Sequence, residues 1–432
     1  MQPQDYARVV KRAPVSNKYY LPSTNICLFP IFARPELSME ASPNISFDNT
    51  AVAFTYKSDA ALKKANFIFT LVNHPWISSV ATGAVKFALN SGLPVEGLIR
   101  KTAFSHFCGG ESIEKSEPVI EKLWQHGVST ILDYSAEGES TEEGFDRTLA
   151  ETIRIIEKAK DSPQIPFAVF KPSGLASVDI LEKVQRKTPL SPAEEKSFAR
   201  IRERFHAICE RGHRYGVPIL IDAEETWIQD PIDSLVYEMM ELFNKEKAIV
   251  FNTYQLYRTS ALRGLKDVLH LGAMHNFYVG VKLVRGAYME KERERAEAMG
   301  YPSPIYPNKD ATDNAFNQAL VFCLDNKQRI TTLCGSHNEY SNYFLTVLMD
   351  KHGLKPDDPR VWFSQLYGMS DNISFNLARA GYRVAKYVPY GPVKSVMPYL
   401  LRRAEENTSV AGQSSRELML IRKELARRRS GN

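Results

Sequence analysis

From about residue 128 onwards, short apolar runs alternate with longer stretches in which apolar residues recur at helical spacing. The runs are almost continuously apolar, which is typical of parallel strands buried on both faces of a sheet. The predicted strands are residues 129–133, 167–171, 218–222, 248–252, 278–284, 330–334, 361–365 and 384–387. Eight strand–helix units of this kind predict an α/β fold, namely a closed (β/α)8 TIM-like barrel.

Outside the barrel the pattern predicts three further parts. Residues 1–48 contain several prolines without a clear period, and we expect them to form an irregular N-terminal arm. Residues 49–127 show helical spacing and are expected to form a helical segment that packs on the barrel, which spans residues 128–412. Residues 413–432 form a basic C-terminal helix or tail, for which we expect solvation rather than contact with anionic lipid.

Polar side chains stand at the carboxyl end of every predicted strand. In a (β/α)8 barrel these ends converge on one face, where active sites are built. The residues at these positions are Asp133, Lys171, Asp222, Gln255, Lys282 with Arg285, His337, Gln365 and Tyr387. One such residue on one strand is commonplace, but a set drawn from all the strands predicts a polar active-site mouth.

Composition narrows the classes of function. The chain has 432 residues, 44% of them apolar and 24% charged, and its net charge of +5 is too mild to favour a nucleic-acid partner. The sequence has no H-x-x-x-H or H-E-x-x-H motif for zinc, no G-x-G-x-x-G for a dinucleotide, and no apolar run of about 18 residues for a membrane span. Five cysteines without a C-x-x-C pair fit a reducing compartment, and we expect neither a signal peptide nor a transit peptide at the start.

The last predicted helix of the barrel combines aromatic, basic and acidic residues. Tyr399, Arg402 or Arg403, and Glu406 share one helix face. Two adjacent guanidinium groups beside an aromatic ring suit a small carboxylate with an apolar body, because arginine binds carboxylate oxygens in pairs. A solvated helix end is the simpler interpretation of this segment alone. Its position directly after the eighth strand favours a carboxylate site.

Six segments are the most distinctive of the chain. They are Asp222–Gln229 (DAEETWIQ), Asn252–Gln255 (NTYQ), Lys282–Tyr288 (KLVRGAY), Gly335–Asn338 (GSHN), Tyr387–Pro392 (YVPYGP) and Tyr399–Asn407 (YLLRRAEEN). In order and spacing they closely resemble the proline dehydrogenase family, over about residues 50–425. The resemblance is strongest to the monofunctional, eukaryote-like branch of that family.

The resemblance implies a distorted (β/α)8 barrel that binds FAD non-covalently at its mouth. It implies oxidation of L-proline to Δ1-pyrroline-5-carboxylate, the first step of proline catabolism to glutamate, with reoxidation by a membrane quinone. Peripheral contact with the membrane and coupling to a separate pyrroline-5-carboxylate dehydrogenase follow as expectations. The location is left open between the bacterial cytoplasm at the inner face of the membrane and the mitochondrial matrix or inner membrane.

The resemblance also implies roles for individual residues. Lys171, Arg402 and Arg403 are implied to bind the substrate carboxylate, and Glu137 to pair with Arg402 as a gate. Because three cations exceed what one carboxylate needs, we expect one of them to pair with a protein acid. The implied lining of the pyrrolidine pocket is Leu283, Ala287, Tyr288, Tyr387 and Tyr399. The implied flavin contacts are Gln255, Lys282, Arg285, Gly286, Ala287, Ser336, His337, Asn338, Leu366 and Glu406.

Three candidate residues, all at the ends of predicted strands or just beyond them, keep two interpretations. Asp222 is the nearest candidate for a general base by residue type, and a structural role fits equally well. Arg285 either stabilises an anionic reduced flavin or forms a plain salt bridge across the mouth. His337 is either a flavin contact or a hydrogen-bonded histidine at a strand end, and the resemblance favours the former.

Alternative functions also stay open. A hydroxyproline dehydrogenase is disfavoured because family members that act on 4-hydroxyproline carry a small serine where this chain has Tyr387. A flavin-free barrel that senses amino acids is a second alternative, and the intact KLVRGAY and GSHN segments argue against it. A nicotinamide-dependent dehydrogenase is a third, weakened by the missing glycine fingerprint.

Overall fold

The computed structural model describes residues 45–72, 96–135, 139–409 and 413–431. Within these residues, parallel strands close into an eight-stranded barrel in chain order, and β8 returns to pair with β1. The strands are β1 (Ser129–Tyr134), β2 (Phe167–Phe170), β3 (Ile219–Ile221), β4 (Val250–Gln255), β5 (Val279–Val284), β6 (Ile330–Gly335), β7 (Val361–Leu366) and β8 (Val384–Tyr390). The predicted (β/α)8 barrel is confirmed, and each predicted strand overlaps an observed one.

Helices follow the strands and also precede and extend the barrel. They are α1 (Thr50–Ala53), α2 (Asp59–Val72), α3 (Glu96–Ile99), α4 (Ser105–Phe107), α5 (Ile113–Trp124), α6 (Glu142–Lys160), α7 (Val178–Gln185), α8 (Pro192–Tyr215), α9 (Thr226–Phe243), α10 (Ala261–Met274), α11 (Met289–Met299), α12 (Lys309–Asp325), α13 (Glu339–Lys351), α14 (Asp371–Arg379), α15 (Val393–Ser409) and α16 (Gln413–Arg429). A π-helical turn, Arg100–Phe104, joins α3 to α4, and a 3-10 turn, Pro172–Gly174, follows β2.

Alternate residues of each strand fill two different apolar layers. Ile131, Val169 and Phe251 meet inside the barrel, whereas Leu132 and Val250 pack outward beneath the helices. Successive side chains of a strand point to opposite faces, so both layers come from the same strands. This burial on both faces explains the continuous apolar runs and leaves the strand ends as the place for polar groups.

A further apolar core joins the N-terminal and C-terminal helices beside the barrel. Phe54 and Phe69 share a buried cluster with Met369, Tyr399 and Ile421, which come from the loop after β7, from α15 and from α16. We call α1–α4 together with α15 and α16 the helical cap. The helix that carries Tyr399 is thus held on one side by the cap core and on the other by the end of β8, which it directly follows.

The C-terminal helix α16 differs from the solvated tail that its charge suggested. Leu418, Leu420 and Ile421 are buried in the cap core. Arg428 pairs with Asp59 on α2 at 2.8 Å between Nη1 and Oδ1. The expectation of a solvated tail was wrong, because the acids and the apolar groove that receive α16 come from distant parts of the chain.

Two sequence expectations fall largely outside the described residues. Nearly all of the N-terminal arm (residues 1–48) and residues 73–95 of the expected helical segment belong to ranges that the structure does not describe. The described part of residues 49–127 is mostly helical, in α1–α5. Among the described helices, none has both the length and the apolar character needed to cross a membrane.

Candidate active site

Five polar side chains from the ends of β1, β2, β3, β5 and β8 meet at the mouth of the barrel. They are Asp133, Lys171, Asp222, Lys282 and Tyr387, which we call the mouth cluster. The parallel barrel brings them together because each lies in the middle or the carboxyl-terminal part of its strand or just beyond it.

Lys171 is held by an aspartate that the family resemblance did not single out. Its ammonium donates to Asp133 Oδ1 at 2.8 Å and Oδ2 at 2.9 Å. It also donates to the Tyr387 hydroxyl at 3.2 Å. The expectation that one of the cations pairs with a protein acid holds for Lys171. In the sequence, only the position of Asp133 at a predicted strand end indicated that it belongs to the site.

Asp222 is fixed on both of its carboxylate oxygens. Lys282 Nζ donates to Oδ1 at 2.6 Å, and the Tyr387 hydroxyl donates to Oδ2 at 2.7 Å. Burial raises the pKa of Asp222, but the Lys282 and Lys171 ammoniums outweigh it and bring that pKa below its ordinary value. A carboxylate with a low pKa and two occupied oxygens is a weak proton acceptor, so the geometry favours the positioning role over the general base.

Tyr387 is the centre of the mouth cluster. Its buried ring lies 4.8 Å from Lys282 Nζ and 5.5 Å from Lys171 Nζ. Burial, together with the Asp133 and Asp222 carboxylates, raises the pKa of Tyr387 well above its usual value. The phenol therefore stays protonated and donates a hydrogen bond, while two lysines and two aspartates balance each other around it.

Arg285, just after β5, is engaged by neighbouring protein groups. Its Nε donates to Asp313 Oδ1 at 2.6 Å, and its two Nη atoms donate to Ser336 Oγ at 2.8 Å and Ser341 Oγ at 2.9 Å. Its guanidinium carbon lies 4.4 Å from the centre of the Phe316 ring. The salt-bridge interpretation is therefore realised in the structure, and a flavin role for Arg285 stays a prediction.

His337, just after β6, is a neutral imidazole with a defined proton. Burial lowers its pKa to about 3, and the charges of Lys386, Arg403 and Arg285 add to the shift. The Leu366 N–H donates to Nε2 at 3.4 Å, which assigns the proton to Nδ1. Nδ1 in turn donates to Ser370 Oγ at 2.9 Å. Both interpretations of His337 include such a hydrogen bond, so its flavin contact also stays a prediction.

The turn after β5 brings backbone to the surface of the mouth. Gly286 and Ala287 are exposed, although β5 itself is buried. Gly286 has φ +132°, and a Cβ there would lie 2.6 Å from the Tyr257 ring, so the position excludes other residues. Exposed backbone in a glycine turn can approach a ligand closely.

Two predicted flavin contacts already serve local structure. Gln255 Nε2 donates to the Glu224 carbonyl at 2.6 Å. The Asn338 side chain caps α13 by accepting from Ser341 N–H at 2.9 Å. These bonds fix where each side chain lies at the mouth.

Three predicted residues lie away from the mouth cluster or outside the described residues. Leu283 is fully buried in the core between barrel and helices, on the face of β5 opposite Lys282. Glu137 and the side chain of Glu406 are outside the described residues. The roles implied for them remain expectations from the resemblance.

The helix after β8 carries the aromatic and basic residues that the sequence predicted for the site. Tyr399 is buried, and Arg403 is buried with its guanidinium carbon 5.2 Å from the Tyr399 ring centre. The charge of Arg403 contributes to the low pKa of His337, so its guanidinium lies within electrostatic range of that imidazole. Arg402 is half-buried on the same helix.

The donor set fits a flavin cofactor. Gln255, Lys282, Arg285 and the exposed backbone at Gly286 bring N–H donors to the ends of neighbouring strands β4 and β5. Such donors suit the carbonyl groups of a flavin ring and the phosphates of its nucleotide.

Comparison with known proteins gives consistent matches. A family model described as proline dehydrogenase matches residues 117–416. Proline dehydrogenase 1, mitochondrial, of Dictyostelium discoideum is 33% identical over 414 residues, covering 84% of this chain and 72% of that protein. The carbapenem antibiotics biosynthesis protein CarD of Pectobacterium carotovorum subsp. carotovorum is 35% identical over 336 residues, covering 78% of this chain and 87% of that protein.

The fold also has relatives among solved structures. Proline utilization A (PutA) from Bdellovibrio bacteriovorus, inactivated by N-propargylglycine, superposes with a TM-score of 0.66 at 22% identity. The match covers 87% of this chain and 40% of the PutA chain, so this chain spans less than half the length of that protein. At this identity the likeness concerns the fold alone.

Proposed function

This chain belongs to the proline dehydrogenase family, and from that premise we propose that it oxidises L-proline to Δ1-pyrroline-5-carboxylate with bound FAD as the hydride acceptor. The reaction breaks one C–H bond and the N–H bond of the ring and forms a C=N bond. The observation that carries the proposal is the mouth cluster, in which Lys171, Tyr387 and Asp222 are held in one hydrogen-bonded arrangement at the barrel mouth.

The basic residues around the mouth supply the affinity for the substrate carboxylate. Lys171 lies there with its Nζ oriented by Asp133, and Arg402 and Arg403 follow on α15, the helix after β8. Guanidinium groups bind both oxygens of a carboxylate. Because Lys171 is largely neutralised by Asp133, the arginine pair supplies most of the positive charge for the substrate.

The same arrangement orients the ring and favours its neutral amine. Tyr387 and Tyr399 are buried and offer aromatic walls, which exclude water and hold the ring in one orientation. The positive charges of Arg402 and Arg403 disfavour a further positive charge nearby, so the ring nitrogen is deprotonated more readily. Asp222 keeps the Tyr387 hydroxyl and Lys282 in place.

FAD, when bound, supplies the two-electron acceptor for the hydride that leaves the ring carbon next to nitrogen. The residues that would hold it are those at the ends of β4 to β6, with Gln255, Lys282 and Arg285 as the side-chain donors and the His337 ring as a neighbouring contact. Their fixed N–H groups stabilise negative charge on a reduced cofactor without reorganisation. We place the non-covalent FAD site there.

Electron transfer onward and cellular context complete the proposal. We propose a membrane quinone as the final acceptor, peripheral contact with the membrane, and a separate pyrroline-5-carboxylate dehydrogenase that consumes the product. Relatives such as the Dictyostelium protein are named mitochondrial. The mitochondrial inner membrane, or the inner face of a bacterial membrane, is therefore the proposed location.

An anaerobic titration of the purified full chain tests the function. We expect visible flavin absorbance that is bleached by L-proline and restored by a quinone analogue, and no reduction of NAD. Absence of flavin absorbance would favour an amino-acid sensor, and proline-dependent reduction of NAD would favour a nicotinamide enzyme. Either result would contradict the proposal.

The same titration with trans-4-hydroxyproline tests the substrate. Because Tyr387 fills the position of a small serine, we propose a preference for proline of at least about tenfold in kcat/KM, the range that one added group in a tight pocket provides. Equal kcat/KM for the two substrates would instead favour the hydroxyproline dehydrogenase. Tyr387→Ser should narrow the difference.

A further inference from the structure

A second buried ion cluster lies where the helical cap meets the barrel. Asp371, at the start of α14, pairs with Lys57 at 2.7 Å and with Lys386 of β8 at 2.9 Å. It also accepts a hydrogen bond from the Tyr56 hydroxyl at 2.8 Å. Glu417 of α16 is buried beside these groups. We call Tyr56, Lys57, Asp371, Lys386 and Glu417 the junction cluster.

Glu417 connects this cluster to the backbone just before α14. Its Oε2 accepts from the Ser370 N–H at 2.9 Å, and both groups are buried. Burial raises the pKa of Glu417 to about 7, and the Asp371 carboxylate adds to the rise. In either protonation state the side chain keeps an oxygen that accepts from Ser370.

Ser370 has a backbone conformation that needs such support. Its φ of +50° lies in the left-handed region, which is unfavourable for a residue with a Cβ. A hydrogen bond from its N–H to a buried carboxyl group on another helix stabilises this conformation. The conformation in turn directs the Ser370 hydroxyl towards the imidazole of His337, whose Nδ1 lies 2.9 Å from Oγ.

Both ring nitrogens of His337 therefore have a defined hydrogen-bond partner. Ser370 Oγ accepts from Nδ1, and the Leu366 N–H donates to Nε2. Rotation of the ring would leave a donor facing the Leu366 N–H. The line Glu417–Ser370–His337 thus runs from the C-terminal helix to the end of β6 through two hydrogen bonds of 2.9 Å.

We propose that Glu417 is a positioning residue for the active site, which holds Ser370 so that His337 keeps one orientation with its proton on Nδ1. The C-terminal helix is then part of the catalytic barrel in function, although it lies beyond the last barrel helix in sequence. The consequence for cofactor binding rests on the proposed flavin contact of His337. The proposed orientation of His337 is independent of that flavin contact.

Imidazole 15N spectroscopy of the full chain, labelled at histidine, tests the orientation directly. His337→Asn identifies the signal. In the wild type we expect a neutral ring with the proton on Nδ1, and in Glu417→Ala a signal shifted towards the other tautomer or an average of both. Glu417→Gln keeps an acceptor oxygen and should restore the wild-type signal. An unchanged His337 signal in Glu417→Ala would overturn the proposal.

A matched control separates positioning from general loosening of α16. Glu424 is another fully buried glutamate of the same helix, and it pairs with Arg427 and Arg428 and not with Ser370. Glu424→Ala should lower Tm without moving the His337 signal. If it moves that signal as much as Glu417→Ala does, the role of Glu417 is merely structural and the proposal fails.

Two further measurements complete the test. If Glu417→Ala does not fold, Ser370→Ala removes the Oγ acceptor and leaves the backbone contact with Glu417, and it should shift the His337 signal; no shift overturns the proposal. In the flavin-loaded protein, Glu417→Ala should raise the Kd for FAD on the order of tenfold, because a His337 ring that leaves its fixed orientation loses its contact with the cofactor. A shifted His337 signal with an unchanged Kd would refute the flavin contact of His337 and leave its positioning by Glu417 intact.

Discussion

The mouth cluster and the junction cluster contain the same chemical groups and differ in exposure and in origin. Each has two lysines, two carboxyl groups and one tyrosine. At the mouth, the side chains of Lys171 and Asp222 keep 9% and 14% of their surface exposed. At the junction, Asp371 and Lys386 keep none. We propose that similar charges serve a ligand site in one place, whereas they form a helix contact in the other.

The difference in burial explains the difference in role. An ion pair that must receive a substrate needs access, so its groups can exchange one partner for another. A fully buried ion pair cannot be reached by a ligand. Removing one of its partners leaves the other charge buried and uncompensated. The comparison predicts that changes at the mouth reduce activity more than stability, and that changes at the junction do the reverse.

Removal of the junction carboxylate should give the largest effect. Asp371→Asn leaves the ammoniums of Lys57 and Lys386 buried without their counter-charge, and we expect a loss of ~3–5 kcal/mol in the free energy of unfolding. Urea denaturation followed by circular dichroism measures it. Asp59→Asn is the matched control, because Asp59 pairs with Arg428 across the same helical contact but is 62% exposed. It should lose less than about 1 kcal/mol, and equal losses would contradict the comparison.

Removal of the mouth lysine should act mainly on catalysis. Lys171→Met removes one cation from the carboxylate site and leaves Asp133 without its partner, so we expect kcat/KM for proline to fall on the order of 100-fold, equivalent to ~3 kcal/mol. Steady-state kinetics with a quinone analogue measures it. Lys183→Met, at a 45% exposed lysine paired with Glu194, should leave kcat/KM unchanged.

A double variant separates two effects of Lys171→Met, namely the loss of substrate binding and the burial of an unpaired Asp133. Asp133→Asn combined with Lys171→Met removes both charges, so the stability lost in the single variant should return in part. Activity should remain low, because the amine that faces the substrate is still missing. Recovery of activity in the double variant would assign Lys171 a purely structural role.

The two clusters also differ in how much of each could be predicted from the sequence. Each residue of the mouth cluster stood at or near the carboxyl end of a predicted strand, and because parallel strands converge, their meeting could be predicted from the apolar runs. Asp133 was visible as a strand end, but its pairing with Lys171 depends on the side-chain geometry. Hydrophobic periodicity does not carry that information.

The junction cluster could not be predicted in this way. Tyr56 and Asp371 are 315 residues apart in the chain and meet only after the cap has packed on the barrel. Glu417 lies in a segment whose net charge resembles that of a solvated tail, and no periodicity marks its contact with Ser370. Local patterns encode elements, whereas such contacts depend on how distant elements dock.

The smallest expected effect concerns acid and His106, a buried histidine close to Lys57 of the junction cluster. Burial lowers the pKa of His106 to about 3, with a contribution from Lys57, whereas an unfolded histidine has a pKa of about 6.5. Below pH ~6.5 the unfolded chain therefore binds one proton more than the folded chain, and His106 reduces the free energy of unfolding by ~1.4 kcal/mol per pH unit until its folded pKa is reached. His106→Gln removes this slope and keeps a donor for the Gly368 carbonyl, 3.0 Å from Nε2.

Between pH 7.5 and 4.5 we expect the wild type to lose ~2–3 kcal/mol in the free energy of unfolding relative to His106→Gln. The raised pKa of Glu417 adds a slope of opposite sign, but it is common to both proteins and cancels in the difference. Urea denaturation at the two pH values measures that difference, with His270→Gln at an exposed position as the control. Parallel pH profiles for wild type and His106→Gln would show that His106 does not make this region acid-sensitive, and the contrast between the clusters would then rest on burial alone.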